Sequence, residues 1–388
     1  MKSINFRSTY GIQDLRKVNF KKINESLRSD IITNGENCKN LEKLICKKTA
    51  SKFSVVCNNG TSALMMALMA LKKNFFINII VPNINFVAIA NIASIIGANL
   101  ILCDVNPKTG MVDISTLKKI IEKCKKKKVT PDFFIPIHYA GDVLDMKKIN
   151  NFCKKEKIKI IEDGCHSFGS KKIINKELII VGESKYSEMT TFSFHPVKNI
   201  TTIEGGAITT NNQKIYNLLI YLRSHSLKKT NIADPYKMIL PTLNFRMGEV
   251  NALIGANQIL ELDNFRKTRN DLVSYYIEKL DNLKRYIEPL NYHDKDIFWH
   301  IFVIKINKSF IKKKLKFMKF LKQHGIASQI HYKPIYKHSV YNKTILINDH
   351  KYSEIFYKSQ LTLPLHTRLE KKDIDFIASK ILLFFKNN

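Results

Sequence analysis

Three short polar segments hold residues whose types could do chemistry. Lys198 stands in FSFHPVKNITTIEGG (192–206), a stretch rich in hydroxyls, aromatics and glycines together. A lysine beside such a loop is commonly just solvated, but at the mouth of a sheet it can be desolvated into an amine nucleophile. Asp163 follows Ile158, Ile160 and Ile161, so its carboxylate should lie largely buried at a sheet edge. A buried carboxylate needs a cationic or hydrogen-bonded partner, although a role as cap for the next segment would also account for it. Gly60-Thr61-Ser62 follows an apolar run and opens a helical pattern. Free backbone N–H groups, hydroxyls and the positive end of a helix dipole suit one phosphate there, and an ordinary helix cap would use the same residues.

These segments need a scaffold that brings them together. From residue 50 onward, β-branched runs at Phe53–Cys57, Ile77–Val81, Leu100–Asp104, Phe133–His138 and Ile158–Glu162 alternate with helical patterns at Ser62–Lys72, Phe86–Ile96, Ile114–Lys125 and Met146–Lys155. Such alternation predicts β-α-β units and a parallel sheet covered on both faces. Two more strands, Glu188–Phe194 and Ala207–Thr210, flank the Gly205-Gly206 turn. The pattern then changes to a long helical region over Gly248–Leu283, short strands near Trp299–Ile306, a helix near Lys312–His324 and a terminal helix from Lys371. The expectation is a large α/β domain over 1–246, with an N-terminal arm, and a smaller α+β domain over 247–388. In open parallel sheets, ligands bind beyond the carboxyl ends of the strands. The polar segments after the first, fourth, fifth and next strands (58–62, 138–139, 163–166 and 193–198) all fall there.

None of the 14 glycines forms G-x-G-x-x-G, and no G-x-x-x-x-G-K-[ST] occurs, so a dinucleotide fingerprint and a P-loop are both missing. A phosphate cradle, a strand-end aspartate and a lysine in one crevice are instead the parts of a pyridoxal phosphate (PLP) site. The blocks NNGTSALMMAL, EDGCHSFGS, TTFSFHPVKNITTIEGGAITT, RSHSLKK and LNFRMGEVNALIGANQI resemble, in order and spacing, the nucleotide-sugar aminotransferases of the DegT/DnrJ/EryC1/StrS family, over nearly the whole chain. The resemblance implies the fold type I architecture of aspartate aminotransferase, with a mixed, mostly parallel sheet in the large domain. SDIITNG (29–35), QIHYKPIY (329–336) and LPLH (363–366) further resemble the branch of the family that serves pseudaminic acid synthesis.

By this resemblance Lys198 carries PLP covalently and then moves the proton, and Asp163 pairs with the pyridine nitrogen. Phe86 stacks on the ring face, although a core phenylalanine on an apolar helix fits the sequence nearly as well. The cofactor phosphate falls to Gly60, Thr61 and Ser193, with Asn244 supplied by a second subunit, which implies a homodimer with shared active sites. The sugar nucleotide falls to Tyr10, Asp30, Ile31, Ile32, Thr33, His331, Tyr332, Lys333 and Pro334. Asp30 and Ile31 depart from the Lys and Gln of related enzymes. His166, His195 and His225 lie in the matching blocks, where single histidines are more often structural. A dehydrating branch of the family carries His in place of the lysine, so Lys198 argues for transamination. The implied substrates are L-glutamate and a UDP-4-keto-6-deoxy-N-acetylhexosamine; another 4-keto nucleotide sugar, of legionaminic, bacillosamine or perosamine type, is the alternative.

Composition bounds the rest. With 388 residues, 45% hydrophobic and 25% charged, the chain can bury a large core. Lys+Arg 64 against Asp+Glu 33 gives +31, which could suggest a nucleic-acid-binding or regulatory protein. The lysines are spread along the chain among abundant Asn and Ile, so a solvated basic surface with no nucleic-acid partner is the simpler expectation. Seven cysteines without a C-x-x-C pair write neither a disulfide framework nor a zinc site, and no metal is expected. Met1–Tyr10 has no apolar core of a signal peptide, which predicts a cytoplasmic protein. The uncharged stretch Phe75–Cys103 is broken by Pro82 and several asparagines, and reads as strand, turn, helix and strand rather than a membrane span.

Overall fold

The computed structural model describes residues 7–72, 77–230 and 235–387. After α1 (Phe20–Leu27) and α2 (Glu36–Thr49), strands and helices alternate: β1 (Phe53–Cys57), α3 (Gly60–Leu71), β2 (Asn78–Pro82), α4 (Ala88–Ile95), β3 (Asn99–Cys103), α5 (Ile114–Lys126), β4 (Phe133–Phe134), α6 (Met146–Lys155) and β5 (Lys159–Asp163). A hairpin of β6 (Lys171–Ile174) and β7 (Glu177–Ile180) precedes β8 (Met189–Ser193), β9 (Gly206–Thr210), α7 (Gln213–Leu222) and the small pair β10 (Leu227–Lys229) and β11 (Tyr236–Met238). The chain continues through α8 (Glu249–Leu260), α9 (Leu262–Leu280), β12 (Ile287–Pro289), β13 (Phe302–Ile306), α10 (Lys314–Gln323), β14 (Ile345–Asn348), α11 (Lys351–Ser359), β15 (Gln360–Leu363) and α12 (Lys371–Lys386).

Eight strands form the main sheet in the order β1-β9-β8-β5-β4-β2-β3-β14. Only β9 runs against its neighbours β1 and β8, so the sheet is mixed and mostly parallel, as expected. Alternation along each strand explains its two buried faces. Val56, Ile80, Ile101, Phe134 and Ile160 join a core shared with Leu41 of α2, Ile120 of α5 and Ile149 of α6. Their neighbours Val55, Ile79, Leu100, Phe133 and Ile161 face the other way, against Leu64 of α3, Ile89 of α4 and Leu219 of α7.

Beyond residue 246 the chain builds the antiparallel sheet β12-β13-β15, and it also returns β14 to the edge of the main sheet beside β3. Where a strand over Phe133–His138 is expected, regular pairing stops after Phe134, because Pro136 has no N–H to give. Its carbonyl still accepts from Asp163 N at 2.8 Å, and His138 N reaches the Asp163 carbonyl at 3.1 Å. The strand end therefore stays in register with β5. In the stretch Phe75–Cys103, Phe75 and Phe76 lie outside the described residues, and the remainder holds β2, α4 and β3. Among the described residues no helix is long and apolar enough to cross a membrane.

Candidate active site

A cavity of about 550 Å³ opens where β1, β2, β4, β5 and β8 end, lined by residues of all five strand ends or the turns that follow them. At its β1 side, Asn59 caps α3 by accepting from Ser62 N at 2.8 Å. That leaves the N–H groups of Gly60 and Thr61 in the first turn without an intrahelical partner. Ser193, the last residue of β8, presses on the same turn: a Cβ on Gly60 would lie 2.6 Å from Ser193 Cβ. Only glycine permits this approach, and it leaves two amides and two hydroxyls around one small space, which is the donor set of an anion cradle.

Across the cavity, Asp163 is 4% exposed and ends β5. One carboxylate oxygen accepts from Cys165 N at 3.1 Å, which fixes the side chain toward the cavity and leaves its other oxygen for a cationic partner. Lys198 comes from the turn between β8 and β9. Its own N–H closes on His195 O at 2.9 Å, and the next residue, Asn199, is buried and donates to Phe298 O at 2.9 Å and to Phe168 O at 3.3 Å. The lysine is thus aimed by a rigid loop. Burial pushes its amine below the ordinary lysine value, against an opposing pull from Cys165 and Asp163. A neutral amine is the form that attacks carbonyl carbon and accepts a proton.

Neutral imidazoles line the same cavity. His166 Nδ1 accepts from Ala140 N at 3.3 Å, so its proton sits on Nε2, 2.7 Å from the Tyr332 hydroxyl. Its ring lies 4.5 Å from that of His300. Burial first, then nearby Lys198 and the other imidazoles, hold His166 and His300 well below the usual histidine range. Burial, with Lys198, pushes His331 down to about 4. Its Nδ1 lies 2.8 Å from Thr362 Oγ1, and Tyr139 Oη donates to its carbonyl. At neutral pH these three rings add no charge, so the ionisable lining beside them includes Lys198, Asp163 and Glu204, next to the helix end.

Of the residues expected at the site, Tyr10, Gly60, Thr61, Phe86, Asp163, Ser193, Lys198, His331 and Tyr332 converge on this cavity, together with His166 and His195. Phe86 is 54% exposed and leans on Tyr332, with ring centres 5.6 Å apart, so it stands at the cavity mouth rather than in the core. Asp30, Ile31, Ile32 and Thr33 do not line it; they form an exposed loop tied to α8 by the Thr33–Gly248 bridge. Lys333 is exposed and Pro334 buried, both just outside. Asn244 is exposed beside Ser224, its side-chain oxygen accepting from Arg246 N at 3.1 Å, and it too lies outside this chain's cavity. His225 sits in the same outlying region, with φ of 57°. His138, one of the strand-end polar residues, is fully buried and bonded to Glu162 at 2.8 Å, which makes it a support. No sequence signal points to His300, which arrives from the apolar Phe298-Trp299 segment when His300 N bonds to Ala140 O at 2.9 Å.

The sequence profile of the DegT/DnrJ/EryC1/StrS aminotransferase family matches residues 13–382. A UDP-4-amino-4,6-dideoxy-N-acetyl-beta-L-altrosamine transaminase of Campylobacter jejuni is 30% identical over 374 residues, covering 96% of each chain. A Helicobacter pylori protein of the same name is 29% identical, again with 96% of each covered. The solved structure of Helicobacter pylori PseC, an aminotransferase involved in the biosynthesis of pseudoaminic acid, superposes with a TM-score of 0.88 at 25% identity, covering 98% of this chain and 100% of that one.

Proposed function

The chain belongs to the DegT/DnrJ/EryC1/StrS aminotransferase family, and from that premise we propose that it moves an amino group from L-glutamate to C4 of a UDP-4-keto-6-deoxy-N-acetylhexosamine, forming UDP-4-amino-4,6-dideoxy-N-acetyl-β-L-altrosamine. The observation that carries this reading is the convergence of Lys198, Asp163 and the Gly60–Thr61 helix end on one cavity. That donor set fits PLP: an amine for its aldehyde, a buried carboxylate for its ring nitrogen, and a cradle too tight for a side chain on Gly60 for its phosphate. Bound there, PLP supplies an electron sink that weakens the C–H bond next to the transferred nitrogen.

The residues of the chain do the rest. Asp163 holds a cationic nitrogen at the strand end. Gly60, Thr61 and Ser193 would fix the phosphate, and Phe86 would cover one face of the ring. Lys198 would hold the group's aldehyde through its amine and, with its lowered basicity, would carry the proton between the donor carbon and the other side of the transferred nitrogen. Asn244 and the Asp30–Thr33 loop, exposed on this chain, serve the cavity of a second copy in a two-fold homodimer. The protein works in the cytoplasm, with no nucleic-acid partner.

Sugar recognition sets the test. Polar groups placed to bond a hydroxyl reject the wrong epimer by about 10⁴ to 10⁵ in favourable cases, which an apolar pocket cannot do. His331, Tyr332 and Tyr10 supply such groups at the cavity rim. With glutamate as donor, the C5-inverted L-arabino 4-keto sugar should therefore be turned over much faster than its D-xylo epimer in side-by-side kinetics. A preference for the D-xylo epimer would transfer the assignment to a bacillosamine or legionaminic type of substrate.

A further inference from the structure

The proposed reaction sends two unlike substrates through one cavity, a dicarboxylate first and then an uncharged keto-sugar ring. Among the described residues that line the cavity there is no arginine, and its one lysine, Lys198, is taken by the cofactor on that reading. Asp163 and Glu204, in the same lining, repel a carboxylate. Recognition of the amino donor therefore falls to neutral N–H and O–H groups.

Of the three neutral rings in the wall, two are already engaged. His166 uses both nitrogens, on Ala140 N and the Tyr332 hydroxyl, and His331 Nδ1 lies 2.8 Å from Thr362 Oγ1. The His300 ring makes no hydrogen bond among the described residues, although the residue is only 4% exposed. Its Nδ1 is enclosed without a partner, where a proton would be an orphaned buried donor, so the proton belongs on Nε2, the nitrogen that the cavity reaches. The backbone around it is fixed from four elements. His300 N donates to Ala140 O at 2.9 Å, Arg269 of α9 donates to His300 O at 2.7 Å, Asn199 beside Lys198 donates to Phe298 O at 2.9 Å, and the Tyr292 hydroxyl donates to Ile301 O at 2.9 Å. An unpartnered side chain is thus held on a rigid strap, which is how binding groups are placed accurately.

The residue type suits the double task. A guanidinium in this wall would bind the carboxylate but stay charged and unpaired once the sugar ring followed, at a large cost in a buried place. A neutral N–H donates to a carboxylate in one half of the reaction and to a hydroxyl or a water in the other. Resting on the function proposed above, we infer that His300 is a binding residue for the amino donor, its Nε2–H donating to a carboxylate of L-glutamate, while the keto sugar does not depend on it.

The test separates the two halves of the reaction. His300→Phe keeps a ring beside His166 and removes the N–H; His300→Gln returns an N–H near the place of Nε2. Followed by the cofactor's absorbance without sugar, the L-glutamate concentration for half-maximal conversion should rise roughly tenfold or more in His300→Phe and return most of the way in His300→Gln. The same variants, loaded with the amino form of the cofactor, should respond to the UDP-4-keto sugar as the parent does. L-Norvaline, which lacks the second carboxylate, identifies the one bound: its own half-maximal concentration rises in His300→Phe if His300 holds the α-carboxylate and stays put if it holds the γ-carboxylate. An unchanged response to glutamate, or equal weakening of both halves, overturns the inference and makes His300 a structural support. If His300→Phe does not fold, a crystal of the parent holoenzyme with glutarate decides, since a carboxylate bound away from His300 overturns it equally. A parent whose cofactor does not respond to L-glutamate overturns the proposed donor instead.

Discussion

His166 donates its single proton to the Tyr332 hydroxyl, 2.7 Å away, because its other nitrogen is already an acceptor for the Ala140 amide. One residue follows the β5 strand end and the other belongs to the 329–336 segment, so this bond closes the cavity between the main sheet and the C-terminal part of the chain. Tyr332 in turn leans on Phe86 at the cavity mouth.

Removing that hydroxyl isolates a buried donor. Tyr332→Phe should cost about 1–3 kcal/mol of stability, the penalty for leaving the His166 Nε2–H without a partner. Urea unfolding of the two proteins measures it. A variant as stable as the parent would mean that the Tyr332 hydroxyl is not what satisfies the buried His166 Nε2–H.

On the proposed function, Lys198→Ala removes both the covalent anchor and the proton carrier. Turnover should fall by orders of magnitude, whereas the oligomeric state and the thermal transition should be nearly unchanged, because the loop is held by Asn199 rather than by the lysine. Borohydride reduction followed by mass spectrometry should place the cofactor's mass on Lys198 in the parent and on no residue in the variant.

Gly60→Ala tests the phosphate cradle. The new methyl would meet Ser193 Cβ at 2.6 Å, so either α3 or the end of β8 must shift. Overpacking of this kind costs about 1–3 kcal/mol. Here it should appear as weaker cofactor retention, by roughly tenfold or more, when the purified enzyme is dialysed and its absorbance followed during reconstitution.

The convergence of Gly60, Asp163, Ser193 and Lys198 on one cavity is legible in the sequence because its signals are local. Apolar runs ending in Asn59-Gly60, Asp163 and Ser193 show where strands stop, and a parallel sheet places all such ends on one edge. His300 is not legible: it reaches the cavity only through its bond to Ala140, whose backbone is left-handed at φ of 60°. The β6–β7 hairpin is hidden as well, because its turn places Asn175 and Lys176 at φ of 50° and 64°, where the Asn-Gly signal of such turns is absent. The return of β14 to the main sheet leaves no mark in Ile345–Asn348 either, since a run of three apolar residues does not name its neighbour.

Glu249, in the first turn of α8, accepts from Gly35 N and Asn37 N at 2.7 Å and from Cys38 N at 3.1 Å, joining that helix to the start of α2. Burial alone would raise its pKa, but the hydrogen bonds from Cys38, Asn37 and Gly35 outweigh it and lower the value below the ordinary 4.5. A lowered folded-state value means stability that is complete above 4.5 and lost as pH falls through the folded value. Glu249→Gln should therefore cost about 1–3 kcal/mol near neutrality, through an amide that cannot accept all three bonds. The gap between variant and parent in urea midpoint should narrow as the pH is lowered below that point.

The last expectation concerns what completes the cavity. Asn244 is exposed on a surface that also presents Leu243, Ile239, Met238 and Tyr236, apolar side chains 42% to 60% exposed, and it lies outside its own chain's cavity. Apolar side chains exposed together in one segment favour cover, and on the proposed function a second copy of the chain would bring Asn244 to the partner's cofactor. Lys198→Ala and Asn244→Ala should each be inactive alone, the second through poor cofactor retention. When the two are mixed and allowed to exchange subunits, each hybrid holds one cavity with both original groups and one with neither. Random exchange at equal concentrations makes half the dimers hybrids, so activity should recover to about a quarter of the parental value. Size-separated, differently tagged hybrids with no activity would remove Asn244 from the partner's site, and an active Asn244→Ala protein would show that the phosphate is held by Gly60, Thr61 and Ser193 without it.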